Sequence, residues 1–335
     1  MQDLQVSLHQ AQKYIPTLLK AGITPFLHGS PALGKSSIVK QIAEKHKLEL
    51  IDVRLSQLEP TDLVGFPTFD GDKVTFKPVD LFPLQNDEIP KGKKGWLLFL
   101  DEANGASHSV QMASYKLVLD RMVGNHKLHD NVFIVSAGNL ETDNAIVNTM
   151  SSALISRFAH FTIRLDNQEW LEWASSAGID HRITSFIGFK PDLLYTFNPD
   201  ATSPYASPRT WQMVSKVIQD SNELPLLASM IGEGVAREFN TYLKLQDELP
   251  NFDEVIANPE EIVISENLGT QWALMGMVVS NLTDKTAKPV SIFLERLPLE
   301  TQVCAMREIN NRHSMQFLKD NMGDWFTNTA RTIAT

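Results

Sequence analysis

The chain has 335 residues, 43% hydrophobic and 21% charged, an ordinary globular composition with length for two or three packed units of roughly 100–200 residues each. Its single cysteine, Cys304, excludes an internal disulfide, no apolar run reaches the ~18 residues of a membrane span, and Met-Gln-Asp-Leu-Gln at the start is no secretory signal, so a reducing, cytoplasmic location is expected. A net charge of −10, from 40 acidic and 30 basic residues, gives no global attraction to a phosphodiester backbone and counts against nucleic acid as a partner.

Leu4, Leu8, Ala11, Ile15, Leu18 and Leu19 recur at helical spacing and predict a helix over 4–20, ended at Gly22. Strand 24–28, helix 36–46 and strand 48–55 follow, then LEPTDLVGF and a hairpin pattern, FDGDKVTF, turning at Asp70-Gly71-Asp72. Lys91, Lys93 and Lys94 read as a solvated loop leading into the buried strand 96–100. A helix over 109–119, a buried strand over 132–136, a short helix over 150–157 and a strand over 160–165 complete an alternating α/β pattern. Helical periodicity dominates beyond 166, over 168–177, 181–188, 209–220 and 225–247, with connections at 196–208 and 249–265 and a mostly helical 266–335.

Three stretches carry chemistry. Gly29-Ser30-Pro31-Ala32-Leu33-Gly34-Lys35-Ser36, with Ser37 next, is a complete phosphate-loop pattern between a strand and a helix. Small residues let backbone N–H groups turn inward around anionic oxygens, and the helix start adds its positive end. Lys35 can reach the β and γ phosphates of a nucleotide and Ser36 can ligate Mg²⁺. In LLFLDEAN, Asp101 ends an apolar strand where it can hold the metal, and Glu102 can polarise an attacking water. In VSAGN, Asn139 ends another buried strand and can orient that water. His126 and His129 lack a patterned third ligand and read as an exposed hairpin, His108 and Ser109 show no triad partner, and Trp170, Trp173, Met275, Met277 and Met306 read as packing residues.

With these motifs the chain resembles the AAA+ ATPases, and within them the MoxR-type branch (MoxR/RavA/CbbQ-like). The resemblance runs over about 30–211 through GSPALGKS, PTDLVG, FKPVDLFP, LLFLDEANGA, SAGN, SSALISRF and ASPRTW in the family's order. It implies an AAA+ core at 1–165 with a parallel sheet and hairpin insertions, the second suggested by DRMVGNHKLHD, then a helical lid at 166–248 and a helical C-terminal extension at 249–335. It implies that Arg157 is an arginine finger reaching a neighbouring subunit's nucleotide, that Arg209 is a lid arginine sensing the γ phosphate, and that Asn139 is the strand-end sensor. Glu59, Asp62 and Asp80 fall in segments that it places near the ring pore or the nucleotide. Gly105 stands where members often carry an arginine after the acidic motif.

The implied activity is Mg²⁺-dependent ATP hydrolysis in a homo-oligomer, commonly a hexameric ring. It would remodel or activate a partner complex, often one carrying a von Willebrand factor A-type domain. A nucleic-acid motor or a GTP-using restriction-type NTPase is the alternative, with a monomeric kinase and a non-hydrolysing assembly subunit behind it.

Overall fold

The apolar stretches of the first half pair side by side in one sheet. The structure is a computed structural model that describes residues 5–143, 148, 150–247 and 249–334, and the chain divides into two compact units, Met1–Leu165 and Asp166–Thr335. In chain order the first unit holds β1 (Gln5–Val6), α1 (Leu8–Lys20), β2 (Thr24–His28), α2 (Lys35–His46), β3 (Glu49–Arg54), α3 (Pro60–Val64), β4 (Phe66–Asp70) and β5 (Lys73–Lys77). It continues through β6 (Trp96–Asp101), α4 (His108–Leu119), β7 (Met122–Val123), β8 (His126–Lys127), β9 (Val132–Gly138), α5 (Ser152–Ile155) and β10 (Phe158–Ile163).

The main sheet has the order β1-β10-β2-β9-β6-β3, and every pairing in it is parallel. Side chains alternate across it. Leu27, Leu97, Phe99, Val135 and Ala137 pack with α1 and α2, whereas Phe26, Leu98, Leu100 and Ile134 pack with residues of α3 and α4. A strand covered on both faces reads as a continuous apolar run, which is why β6 was legible as one.

Helix 4–20 begins later than its spacing suggests. Ser7 caps α1 reciprocally with Gln10, the Gln10 N–H donating to Ser7 Oγ at 3.2 Å and the Ser7 N–H to Gln10 Oε1 at 2.9 Å, so Gln5 and Val6 are free to pair with β10. Leu4 lies outside the described residues. The strand expected at 160–165 starts two residues earlier, because Phe158 packs against the core beside Phe26. Asp62 caps α3, accepting the Glu59 N–H at 2.9 Å. Two antiparallel hairpins, β4–β5 and β7–β8, stand apart from the sheet. His126 contacts the Phe76 carbonyl at 2.9 Å, and His129 accepts the Asn131 N–H at 3.0 Å.

The second unit is helical throughout its regular structure, from Asn167–Ser176 to Gly323–Ala334. The single helix expected over 225–247 is two, Leu224–Ile231 and Glu233–Asp247. Gly232 between them has φ +82°, and a Cβ there would stand 2.5 Å from the Pro204 carbonyl oxygen, so the chain turns where the apolar periodicity carries on. The 249–265 connection contains a short helix, Phe252–Ala257, capped by Asn251. Trp272, Val278, Phe293, Leu294 and Ile309 form the core of this unit, with Trp170 and Met275 also buried.

Candidate functional site

The phosphate loop follows β2 directly, and its shape comes from two residues. Ala32 and Gly34 both lie in the left-handed region, at φ 61° and 98°, which curls the backbone into the concave form that receives anions. Gly34 is also the N-cap of α2 and provides no side chain to the helix's first N–H groups, whose partial positive charge faces the loop. Gly29, Ser30, Pro31 and Leu33 complete the loop, with Leu33 packed inward at 6% exposure, and Lys35, Ser36 and Ser37 form the first turn of α2. The Lys35 ammonium is buried. It donates to Gly29 O at 2.5 Å and Ser30 O at 3.0 Å, and it lies 3.5 Å from Asn139 Oδ1.

The acidic pair arrives from β6. Ser36 Oγ donates to Asp101 Oδ2 at 3.0 Å, bringing hydroxyl and carboxylate together from two elements. Glu102 leaves the strand in the left-handed region, φ 53°, with its N–H on Asp101 Oδ1 at 2.9 Å and its carboxylate accepting the Ser56 hydroxyl. On the neighbouring strand, partial burial and then the charges of Asp101 and Glu102 raise the Asp52 carboxyl above its ordinary value, with Arg54 opposing. Hard oxygen ligands in a crowded anionic setting suit a divalent cation. Among the described residues no group of three His, Cys, Asp or Glu forms a closed cage, and Mg²⁺ bound through one carboxylate, a hydroxyl and phosphate oxygens needs none.

Asn139 follows β9, which lies between β2 and β6. Its backbone is gripped by a buried amide: Asn104 Nδ2 donates to Asn139 O at 2.8 Å, and the Asn139 N–H donates to Asn104 Oδ1 at 3.1 Å. Gly138 makes this grip possible, since a Cβ there would stand 2.2 Å from Asn104 Oδ1. A second tie runs from the loop. Ser30 Oγ donates to Asp143 Oδ1 at 2.9 Å, and Asp143 Oδ2 accepts the Leu140 N–H at 3.1 Å.

Lys35, Ser36, Asp101, Glu102 and Asn139 therefore meet at the carboxyl ends of three adjacent parallel strands, where open α/β sheets bind ligands. Arg157 is exposed between α5 and β10. Arg209 is exposed in the second unit, in the first turn of helix Pro208–Val217, whose cap is Ser207. Sequence reasoning passed over Ser56, Asp143 and the clamping role of Asn104. Only Asn104 carried a signal, as a polar residue in an otherwise apolar and acidic motif.

No helix among the described residues is long and apolar enough to cross a membrane. Models of known protein families give no match to the chain, and neither do curated proteins. Among solved structures, the Thermotoga maritima RuvB Holliday junction branch migration motor is similar over 76% of this chain and 75% of its own, at 17% identity and a TM-score of 0.40. NtrX from Brucella abortus in complex with ATP is similar over 99% of this chain and 69% of its own, at 13% identity and a TM-score of 0.41.

Proposed function

We propose that the chain is an ATP-hydrolysing enzyme of the AAA+ class, of the MoxR-type branch, which works as a ring and remodels a partner protein complex. One observation carries the nucleotide chemistry: Ser36 Oγ and Asp101 Oδ2 meet at 3.0 Å beside the buried Lys35 ammonium, itself 3.5 Å from Asn139 Oδ1. These four groups come from three separate segments, and each has a task in cleaving a terminal phosphate. The loop N–H groups and Lys35 bind the β and γ phosphates. Ser36 and Asp101 would hold Mg²⁺, which when bound offsets phosphate charge. Glu102 accepts a proton from the attacking water, and Asn139 orients that water.

Arg157 is assigned to a neighbouring copy's nucleotide and Arg209 to sensing the γ phosphate. Both roles rest on the motif resemblance, as do the hexameric ring, the partner with a von Willebrand factor A-type domain and the MoxR-type branch itself. An arginine supplied in trans is worth about 10³–10⁵ in rate in related NTPases, so hydrolysis per subunit should rise with protein concentration.

Glu102→Gln tests the reading. It keeps the shape and the Ser56 contact but cannot take a proton. Binding of a fluorescent ATP analogue should stay within about threefold of wild type while hydrolysis falls by at least about 10². Normal turnover by this variant, or no hydrolysis by the wild type with Mg²⁺ at any protein concentration, refutes it.

A further inference from the structure

His28 is the last residue of β2, immediately before Gly29. His160 lies on β10, which pairs in parallel with β2 so that His160 faces Phe26 and Thr162 faces His28. Both imidazoles therefore point to the same side of the sheet. His28 Nε2 and His160 Nδ1 are 2.7 Å apart, and His160 Nε2 lies 2.8 Å from the carbonyl oxygen of Ile155. The rings stack with centroids 5.0 Å apart, and His28 also packs on Phe26, at 4.3 Å. Ile155 is the last residue of α5, two residues before Arg157.

The protons in this chain of contacts are determined by its end. A carbonyl oxygen only accepts, so His160 Nε2 carries a hydrogen. In the neutral form of the His160 ring, Nδ1 is then bare and accepts, with His28 Nε2 as the donor. Burial, then His160 and Lys35, lower His28 to about 4, so it stays neutral near pH 7. The imidazole contacts run from His28 to the turn that presents Arg157, and the peptide bond from His28 to Gly29 joins them to the carbonyl that Lys35 holds at 2.5 Å.

We propose that His28 and His160 are positioning residues, a hydrogen-bonded relay that couples the phosphate loop of each copy to the arginine which that copy lends to its neighbour. The relay rests on the ATPase reading above. A nucleotide that displaces Lys35 or Gly29 shifts β2's end, and the two imidazoles carry the shift to Ile155 and the arginine turn. The relay thereby lets one site's occupancy tune the next site's rate. Ring packing alone needs neither ring nitrogen in register, whereas here both contacts fall in series between two functional segments.

The test uses the full chain, steady-state ATP hydrolysis at several ATP and protein concentrations, and direct binding of a fluorescent ATP analogue. His160→Phe keeps the ring and removes both hydrogen bonds. It should lower kcat about five- to twentyfold while analogue Kd moves less than twofold. His28→Phe should match it. His28→Gln places an amide N–H where the imidazole Nε2 donates, and should restore kcat to within about twofold of wild type. Wild-type kcat in His160→Phe, or equal defects in His28→Gln and His28→Phe, overturns the relay. Should the phenylalanine variants fail to fold, ¹⁵N NMR of the wild-type imidazoles decides: the proposal requires His160 protonated at Nε2 and bare at Nδ1, and the opposite tautomer overturns it. A wild type without hydrolysis refutes the ATPase reading as well, whereas an active wild type with unaffected variants refutes the relay alone.

Discussion

Asn104 offers the sharpest test of how the site is held together. Its side chain is 4% exposed and makes two hydrogen bonds to one backbone unit, at 2.8 and 3.1 Å. In Asn104→Ala both partners on Asn139 lose their contacts. A buried polar group left unpaired costs about 1–3 kcal/mol. Asn139 is half-buried, so water recovers part of that, and about 2–3 kcal/mol in total is expected. At about 2–4 °C per kcal/mol for a unit of this size, Tm should fall by about 4–12 °C. A catalytic loss of similar size should accompany the stability loss. Once released, Asn139 can drift by about 1 Å from the position it holds near Lys35, a displacement that can cost about 10²-fold in rate. Thermal unfolding by circular dichroism and steady-state hydrolysis measure the two effects separately. Asn104→Asp keeps the acceptor but sets an oxygen against the Asn139 carbonyl, and should reproduce most of the rate loss. If Asn104→Ala unfolds within 1 °C of wild type and hydrolyses ATP within twofold of it, the clamp is not what positions Asn139.

Gly138→Ala attacks the same clamp from the other side. Its Cβ would meet Asn104 Oδ1 at 2.2 Å, so it should lower kcat about as much as Asn104→Ala, and the double variant should be little worse than either alone; additive losses would separate the two residues. Lys35→Ala removes the buried ammonium and should weaken ATP binding more than tenfold, read by titration with the fluorescent analogue; unchanged affinity would place the phosphates elsewhere. His28, lowered to about 4 by burial, His160 and Lys35, predicts an acid-sensitive fold. Below pH 6.5 the unfolded chain takes up a proton that the folded chain refuses, so this stabilisation is complete above pH 6.5 and declines as pH falls toward 4. Tm of His28→Gln should therefore drop less than that of wild type between pH 7 and pH 5, and parallel curves would contradict the assignment.

The parts of the fold legible in advance are those governed by local rules. β6 reads as a buried strand because five apolar residues run together between turn signals, and the phosphate loop because its small residues and lysine sit at set offsets. The errors fall where a tertiary contact competes with periodicity. Gln5 and Val6 continue a helical pattern but pair with β10 instead. Leu224 to Asp247 keeps an apolar stripe across Gly232, and only the close approach of Pro204 explains why the helix breaks there.

The same division runs through the site. Lys35, Ser36, Asp101, Glu102 and Asn139 announce themselves because each ends or begins an element, and the ends of parallel strands on one edge of a sheet must lie together once the strand order is set. The groups that hold them do not. Asn104 acts on Asn139, Asp143 on Ser30 and His160 on His28, across sequence separations that no short motif spans. Their partners depend on which strands are neighbours and in what register. A one-residue slip of β10 against β2 would turn His160 to the opposite face and separate the two imidazoles. Residues that perform chemistry can be recognised from spacing within a segment, whereas residues that aim them are visible only after the segments have been placed. Substitutions at the second class therefore test the assembled pocket in a way that changes to Lys35 or Glu102 cannot, because any arrangement that used those two groups would be damaged by losing them.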